Sequence, residues 1–343
     1  MSSHILVIRL SAMGDVAMTV PVLSAFSLQY PNVKITVVSR PFFKPFFDDI
    51  ENITFFPIDL KERHQGFLGL LRLFSDLRKL NIDAVADLHN VLRSKIITTL
   101  FALNGKKVAA TDKGRIDKKA LTKLAIKNIS PIKSMFERHV ETFENLGFQI
   151  NLNTPMFPEK AILSEEIIKI TGKKAENWIG IAPFAQYENK VYPTDLMQQV
   201  IDDLAKNTSN KILLFGGGTE EIKQLNQLKN NHDNVLVLAG KTNLKAELAI
   251  ISNLNIMLSM DSGNAHIAAM MGIKVITLWG ATHPFAGFQP FHQPDDFSLT
   301  SDRKQYPFLP TSVYGNKKVA GYEYAMRTIL PSQVIEKINS NLN

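Results

Sequence analysis

The chain contains no cysteine among its 343 residues. That absence excludes disulfide bonds, thiolate metal sites and cysteine nucleophiles, and it is compatible with a reducing compartment. Long apolar runs are also missing, since no stretch approaches the roughly 18 apolar residues that a membrane-spanning helix needs. The apolar run at residues 5–8 is short and is followed directly by Arg9, so we interpret it as a buried strand and not as a signal peptide. We therefore expect a cytoplasmic protein.

Charge is modest in amount but uneven in position. The net charge is +7, and the segment 104–128 holds eight lysine and arginine residues against two aspartates. The eight are Lys106, Lys107, Lys113, Arg115, Lys118, Lys119, Lys123 and Lys127. Such a cluster suits nucleic acid, an anionic membrane surface or a phosphorylated glycolipid. The segment has no aromatic side chain on which bases could stack, which disfavours nucleic acid, and a merely solvated basic loop and helix face stays open as the alternative.

Short apolar runs alternate with amphipathic stretches along most of the chain. With 45% hydrophobic and 21% charged residues the composition is globular, and the length suits two domains. Strand followed by helix, repeated, is typical of an α/β protein with parallel, doubly wound sheets. Composition shifts after residue 151, and a new series begins near Trp178. We predict an N-terminal domain at 1–160, a C-terminal domain at 175–325, and a helix within 326–343 that packs back across both.

The stretch from 255 to 284 reads NIMLSMDSGNAHIAAMMGIKVITLWGATHP. It predicts a strand, a turn, a helix and a second strand, with the helix starting at the turn. The free N–H groups and the dipole of a helix start favour a bound phosphate. Asp261 and His266 flank that start, and a histidine there can donate to a phosphate oxygen. The alternative is that Asp261 only caps the helix and His266 only packs.

Two other turns follow strands. Asp15 lies in the turn after the first strand, where open α/β sheets bind ligands, although it could equally cap its helix. The glycines at 216–218 end another strand and allow close approach of a ligand. They lack the spacing of a dinucleotide fingerprint and the Lys-Ser/Thr of a P-loop, which disfavours an NAD-dependent oxidoreductase.

Three separated motifs occur in one order: RLSAMGDVAMTVPVL, LAGKTNLKAELAIIS and DSGNAHIAAMMGIKVITLWGATHP. Together they resemble glycosyltransferase family 9, the ADP-heptose:lipopolysaccharide heptosyltransferases. The resemblance implies a GT-B type fold, in which two Rossmann-like doubly wound domains face each other across a cleft. It places the acceptor on the N-terminal half and the nucleotide-sugar on the C-terminal half. We expect the domains to close when the donor binds.

The resemblance also assigns roles to individual residues. Asp15 matches the general base, Lys190 matches a lysine that contacts the donor diphosphate, and Glu220, or else Glu221, matches the ribose-binding acid. The phosphate-binding turn is matched by Asp261, Ser262, Gly263 and His266, and a loop near the nucleotide by Gly240, Lys241 and Thr242. The predicted acceptor-binding residues, which are chosen by their charge and not by the resemblance, are Arg93, Lys106, Lys107, Lys113 and Arg115. Residues 184–187, Phe-Ala-Gln-Tyr, depart from the small hydroxyl side chains that the family commonly has there.

The resemblance therefore predicts an inverting, metal-independent enzyme that moves heptose from ADP-heptose to a lipopolysaccharide inner-core or lipid A acceptor. We expect no cofactor and no metal. The expected partners are a nucleotide-sugar and an anionic glycolipid, with peripheral contact at the cytoplasmic face of the inner membrane and no nucleic acid. A nucleotide-sugar epimerase of the same architecture and a non-catalytic sugar-nucleotide or glycolipid binder stay open as alternatives.

Overall fold

The computed structural model describes residues 3–123, 128–174 and 176–342. Lys127 of the basic segment lies outside these described residues. The chain divides into two compact units. Unit 1 comprises residues 1–115 and 133–157, and unit 2 comprises residues 116–132 and 158–343. Part of the basic segment thus belongs to unit 2, although unit 1 surrounds it in sequence.

Unit 1 is built on a five-stranded parallel sheet with the strand order β3-β2-β1-β4-β5. Its strands are β1 (His4–Ile8), β2 (Lys34–Ser39), β3 (Ile53–Pro57), β4 (Ala84–Asp87) and β5 (Lys107–Ala110). Its helices are α1 (Met13–Ala17), α2 (Val20–Gln29), α3 (Gly66–Arg78), α4 (Leu92–Leu103) and α6 (Met135–Glu144). Helix α5 (Arg115–Leu121) starts at the last residue of this part of unit 1 and continues into unit 2.

The sheet of unit 1 is covered on both faces, as parallel sheets require. Helix α3 turns Leu70, Leu73 and Leu77 toward the strands, and these side chains are at most 5% exposed. On α2, Phe26 lies with its ring centroid 5.0 Å from that of Phe143 on α6. Burial of such side chains is the main stabilising term of the unit, worth roughly 1.5–3 kcal/mol for each.

Two sequence expectations are wrong in detail. The apolar spacing of Val16, Val20, Leu23 and Phe26 predicts a single helix that ends near Tyr30. The structure has two helices there, because the Thr19 hydroxyl donates to the carbonyl of Val16 at 2.7 Å and Pro21 has no N–H to continue the first helix. The basic segment is not only loop and helix, since residues 107–110 form β5 at the edge of the sheet.

Unit 2 has a six-stranded parallel sheet with the order β11-β10-β9-β6-β7-β8. Its strands are β6 (Asn177–Ala182), β7 (Asn210–Leu214), β8 (Val235–Val237), β9 (Ile256–Met260), β10 (Lys274–Trp279) and β11 (Ser298–Thr300). Its helices are α7 (Glu165–Thr171), α8 (Thr194–Ala205), α9 (Thr219–Lys229), α10 (Leu244–Ile251), α11 (Gly263–Met270) and α12 (Pro331–Asn339).

The core of unit 2 lies around its central strands. Every residue of β9 is buried, which explains why this strand is a continuous apolar run without alternation. The terminal helix α12 packs on α8 and buries Val334 and Ile338 completely. In the three described ranges the longest helix is α3 with 13 residues, and none of the helices there has the length and apolarity to cross a bilayer.

Candidate functional site

Both sheets use the same strand arrangement around their first strand. In unit 1 the chain order reverses between β1 and β4, and in unit 2 it reverses between β6 and β9. Ligands of open α/β sheets bind beyond the carboxyl ends of the strands at such a switch point. The segments predicted to carry the chemistry follow these strands, so the topology alone indicates two half-sites, one in each unit.

In unit 1 an ion pair lies at the switch point. Asp15 is the third residue of α1, and its Oδ2 is 2.8 Å from Nη2 of Arg9. The same oxygen accepts from the backbone N–H of Ala12 at 3.2 Å, so Asp15 does cap the helix as the simpler reading expected. Arg9 is anchored across the switch point, because its Nη1 donates to the carbonyl of Leu88 at 2.6 Å. The Arg9 side chain is 7% exposed and that of Asp15 is 35% exposed. The carboxylate is therefore the accessible member of the pair.

Further titratable groups surround this pair. Asp87, at the end of β4, accepts from the backbone N–H groups of His89 and Asn90 at 2.9 and 2.7 Å, and burial raises its pKa. Burial, together with the charges of Arg9 and Lys113, lowers the pKa of His89 to about 4. His89 is therefore a neutral imidazole at pH 7.

Lys113 follows β5 and so lies at the edge of the sheet that is formed by the carboxyl ends of its strands, as Asp15 does. Its pKa is lowered by burial and by the positive charges of Arg9 and Arg115. A cation whose neighbours disfavour its charge is a place where an anion binds well. Half-buried Lys113 and the exposed Arg115 thus make this edge of unit 1 suitable for an anionic ligand.

The five predicted acceptor-binding residues do not lie together. Lys106 precedes β5 and Lys107 is its first residue, whereas Lys113 and Arg115 follow its last. Because the strands are parallel, Lys106 and Lys107 lie where the strands of the sheet begin, at the end opposite to Asp15. Arg93 is exposed in the first turn of α4, which follows β4. It therefore lies near the carboxyl ends of the strands, as Lys113 and Arg115 do.

Lys118, another member of the basic segment, is buried in unit 2. Its ammonium lies 4.3 Å from the centroid of the Phe288 ring. This is the distance of a cation–π contact. Lys118 therefore packs within unit 2.

In unit 2 a second ion pair lies at the switch point. Lys190 ends a short 3-10 turn after β6, and Asp261 follows β9 directly. The Nζ of Lys190 is 2.9 Å from Oδ2 of Asp261, and the two side chains are 13% and 8% exposed. The backbone N–H of Asp261 also donates to the carbonyl of Leu278 on β10 at 3.3 Å. The carboxylate therefore holds the lysine from a fixed position.

Helix α11 starts directly beside this pair. Its N-cap position is taken by Ser262, not by Asp261, and the Ser262 side chain makes no cap hydrogen bond. The Ser262 hydroxyl lies 3.2 Å from that of Ser259 instead. Gly263 is the first helical residue and His266, 8% exposed, lies one turn further on. The helix start, the Lys190 ammonium and the Ser262 hydroxyl are the groups that a phosphate needs.

The residues predicted for the nucleotide follow the neighbouring strands β7 and β8. Glu221 Oε2 accepts from the N–H of Gly217 at 2.8 Å, whereas Glu220 Oε1 accepts from Gln224 within α9 at 3.2 Å. Glu221 thus fixes the glycine loop and Glu220 points along an exposed helix surface.

The loop after β8 carries the remaining predicted nucleotide residues, Gly240, Lys241 and Thr242. Lys241 is exposed, and the Thr242 hydroxyl donates to Oε1 of Glu247 at 3.2 Å. Burial raises the pKa of Glu247, although the Thr242 hydroxyl lowers it. The Thr242 side chain therefore serves the local structure, and Lys241 is the accessible cation of this loop.

Sequence reasoning missed Arg9, Asp87 and His89 as members of the site. Arg9 had a signal, because an arginine directly after a buried strand must find partners for its guanidinium. Asp87 and His89 had only their place after a strand. Their proximity to Asp15 depends on β4 pairing with β1, which the sequence does not specify.

In the part of the chain that the structure describes, His, Asp and Glu side chains do not come together in groups of three that could hold an ion. The two half-sites contain a partly exposed carboxylate in unit 1, and a held lysine beside a helix start in unit 2. Such groups can accept a proton and stabilise a phosphate, respectively.

Comparison with known proteins identifies the family. The sequence profile of glycosyltransferase family 9 (heptosyltransferase) matches residues 70–308. The lipopolysaccharide core heptosyltransferase OpsX of Haemophilus influenzae is 26% identical over 287 residues, which are 81% of this chain and 79% of that protein.

Solved structures agree in fold. A glycosyltransferase family 9 protein of Veillonella parvula superimposes with a TM-score of 0.76 at 19% identity, over 99% of this chain and 97% of that one. The ADP-heptose lps heptosyltransferase II of E. coli does so with a TM-score of 0.70 at 20% identity, over 100% of this chain and 98% of that one. The fold is thus of the GT-B type. With the profile covering more than half of its length, the chain belongs to glycosyltransferase family 9, the heptosyltransferase family, and is a glycosyltransferase.

Proposed function

We propose that the protein transfers a heptosyl group from ADP-heptose to an anionic lipopolysaccharide acceptor, with inversion at the anomeric carbon and without a metal ion. The observation that carries the proposal is the buried Lys190–Asp261 pair beside the start of α11, at the switch point of unit 2. The names of the relatives, which specify lipopolysaccharide and ADP-heptose, support this choice of donor and acceptor.

Asp15 acts as the general base in this proposal. Its carboxylate is partly exposed and is held in one orientation by Arg9 and by the N–H of Ala12. An acceptor hydroxyl gives its proton to Asp15 while the oxygen attacks the anomeric carbon, and the bond to the diphosphate breaks on the opposite face. One displacement of this kind inverts the configuration. His89 stays neutral at pH 7, so it can orient the hydroxyl without competing as a charged acid.

The leaving diphosphate gains negative charge as its bond to the sugar breaks. Lys190, the Ser262 hydroxyl and the first N–H groups of α11 stabilise that charge, and His266 donates a further hydrogen bond. Fixed donors of this kind can take the place of a divalent cation. Glu221 or Glu220 and the loop at Lys241 accommodate the nucleoside part of the donor.

The positive charge of the half-site around Asp15 favours an anionic acceptor. Lys113 and Arg115 lie at the same edge of unit 1, and their mutual repulsion is relieved by a bound phosphate or carboxylate. A phosphorylated lipid A or an acidic inner-core sugar has this chemistry. The surface cations of unit 1 also suit the anionic lipids among which such an acceptor lies.

The first test is calorimetric titration of the metal-free protein with ADP, UDP, GDP and CMP. We expect selective binding of ADP, and we expect Lys190→Ala and His266→Ala each to weaken it. Binding of another nucleotide in preference to ADP would contradict ADP-heptose as the donor. Equal affinity in Lys190→Ala and in the unmodified protein would contradict the assignment of the diphosphate site.

The second test is transfer itself. Incubation of the protein with ADP-heptose and Kdo-lipid A, in the presence of EDTA, is expected to give a lipid heavier by one heptosyl unit with inverted anomeric configuration. ADP release without the heavier lipid would favour a hydrolase or epimerase. Activity that returns only on addition of a divalent cation would contradict metal independence.

A further inference from the structure

A segment beyond the family profile crosses the loop that carries Lys190. The profile ends at residue 308, and residues 311–318 follow. The backbone N–H of Thr311 donates to the carbonyl of Ala281 at 2.9 Å. The Asn189 side-chain amide donates to the carbonyls of Gly315 and Lys317 at 3.4 and 3.1 Å. We call residues 311–318 the strap.

An ion pair adds a further link between the strap and the same loop. The ammonium of Lys318 lies 2.8 Å from Oε2 of Glu188, one residue before Asn189. Both side chains are largely exposed, so this pair stabilises the strap only weakly. The amide of Asn189 is therefore the principal polar tie between the strap and the loop that ends in Lys190.

The strap places Gly315 against the aliphatic stem of Lys190. A Cβ atom at Gly315 would lie 2.5 Å from both Cγ and Cδ of that lysine, and 3.7 Å from Cγ2 of Thr282. Carbon atoms in contact lie about 3.5–4.0 Å apart, so the stem would have to move. Because Nζ of Lys190 is held at 2.9 Å from Asp261, movement of the stem withdraws the ammonium from the carboxylate.

The backbone conformation does not by itself explain a glycine here. The φ angle of Gly315 is +78°, which favours glycine. Asparagine and histidine nevertheless occupy positive φ elsewhere in the chain, for example Asn81 at +54° and His292 at +52°. The contact with Lys190, in contrast, means that any side chain at this position would displace the lysine stem.

We propose that Gly315 is a positioning residue for Lys190: the space left by its missing side chain holds the lysine stem in the orientation from which the ammonium reaches both Asp261 and a bound diphosphate. The proposal rests on the proposed function, since it takes Lys190 as a diphosphate ligand. It assigns the strap, which lies outside the family profile, to the donor half-site.

The test compares Gly315→Ala with Gly321→Ala. Gly321 has almost the same φ angle, +82°, but nothing lies within 4 Å of a Cβ placed there. The two variants therefore place alanine at nearly the same φ angle and differ in the contact with Lys190. Calorimetric titration with ADP measures the dissociation constant, and thermal unfolding verifies that both variants are folded.

We expect Gly315→Ala to raise the dissociation constant for ADP about tenfold to a hundredfold relative to Gly321→Ala, the effect of losing one charged hydrogen bond to a phosphate. In the Lys190→Ala background the same glycine substitution is expected to have no further effect on ADP binding, because Cγ and Cδ are gone. This non-additivity is a property of a positioning role and not of a general loss of stability.

The outcomes separate the two proposals. If Lys190→Ala alone leaves ADP binding unchanged, the proposed function fails. If Lys190→Ala weakens binding but Gly315→Ala behaves like Gly321→Ala, only the positioning role fails. It also fails if Gly315→Ala weakens binding equally in the presence and absence of the lysine stem.

Discussion

The two units present the same pair of charges at the same place in the same sheet order, but with the roles reversed. In unit 1 the buried partner is the cation, Arg9, and the carboxylate of Asp15 is 35% exposed. In unit 2 the carboxylate of Asp261 is 8% exposed and holds Lys190, which carries the ammonium that we assign to the diphosphate. An aspartate at a switch point is thus a candidate reacting group in one unit and a support in the other.

Exposure decides which partner can act. A carboxylate that is partly exposed to solvent can accept a proton from a substrate, whereas a buried carboxylate mainly orients its partner. The same substitution, aspartate to asparagine, should therefore mainly lower the rate of transfer in unit 1 and mainly lower stability and ADP affinity in unit 2. The predictions below test that contrast, starting with the largest expected effect.

Asp15→Asn is expected to lower kcat by about a hundredfold to ten-thousandfold, because the amide cannot accept the proton of the acceptor hydroxyl. The free energy of unfolding should fall by about 1–2 kcal/mol, because Asp15 is partly exposed but the cation that loses its partner, Arg9, is buried. ADP affinity should not change. Transfer assays, urea unfolding and calorimetry measure the three quantities, and a large loss of stability would break the contrast.

Asp261→Asn is expected to lower the free energy of unfolding by about 2–3 kcal/mol, below the 3–5 kcal/mol typical of fully buried pairs because some solvent reaches this one. ADP affinity should fall as well, since Lys190 loses its support. The control is the double variant Lys190→Met with Asp261→Asn, which should recover stability but not ADP binding. Recovery of both would show that the pair does not serve the donor.

Each unit also holds a histidine whose pKa is lowered to about 4. His89 in unit 1 is affected by burial and then by Arg9 and Lys113, and His283 in unit 2 by burial and then by Arg303. Both pKa values lie below the value of about 6.5 in the unfolded chain. Between pH 4 and pH 6.5 the unfolded chain therefore binds protons that the folded chain does not. Stability should therefore fall as the pH is lowered from about 6.5 to about 4.

Urea unfolding as a function of pH tests this in both units. His89→Asn and His283→Asn should each make the decrease shallower, because each removes a group that binds a proton more readily in the unfolded chain. Added salt should reduce the part due to Arg9 and Lys113 more than the part due to burial. If neither variant changes the pH dependence, the two imidazoles are not neutral in the folded protein at pH 6.

The smallest expected effect comes from two helix caps. The Ser134 hydroxyl accepts from the N–H of Glu137 at 3.2 Å in unit 1, and that of Ser164 accepts from Ile167 at 3.3 Å in unit 2. Ser134→Ala and Ser164→Ala should each lower the free energy of unfolding by about 1 kcal/mol. If the units unfold separately, each substitution shifts only the transition of its own unit; a common shift would indicate one cooperative transition.

Much of the fold could be predicted because the apolar runs are short, repeated and interrupted by helix-like patterns. The alternation predicted two parallel, doubly wound sheets, and the order β11-β10-β9-β6-β7-β8 has that topology. The break between α1 and α2 was not predicted, since it depends on one hydroxyl and one proline within an otherwise helical run. The edge strand β5 was missed because its sequence, Lys-Val-Ala-Ala, carries little apolar pattern.

The sequence predicted which residues and motifs belong to the candidate site, but not which partners they contact. Asp15, Lys190 and the turn from Asp261 to His266 follow strands, and the topology brings them to the two switch points. Their roles as base and donor ligands stay predictions until the variants above are measured. The five acceptor-binding residues were chosen by charge alone. The structure places two of them, Lys106 and Lys107, where the strands begin, at the end of the sheet opposite to Asp15.

The sequence by itself determined the fold class, the family and the segments that carry chemistry, because these depend on local periodicity and on motifs contiguous in the chain. Only the tertiary structure decided which partner each charged residue has. Arg9 meets Leu88, and Lys190 meets both Asp261 and Gly315, across separations of many residues. Such contacts depend on strand pairing and on the path of a long loop, and no local pattern encodes either of them.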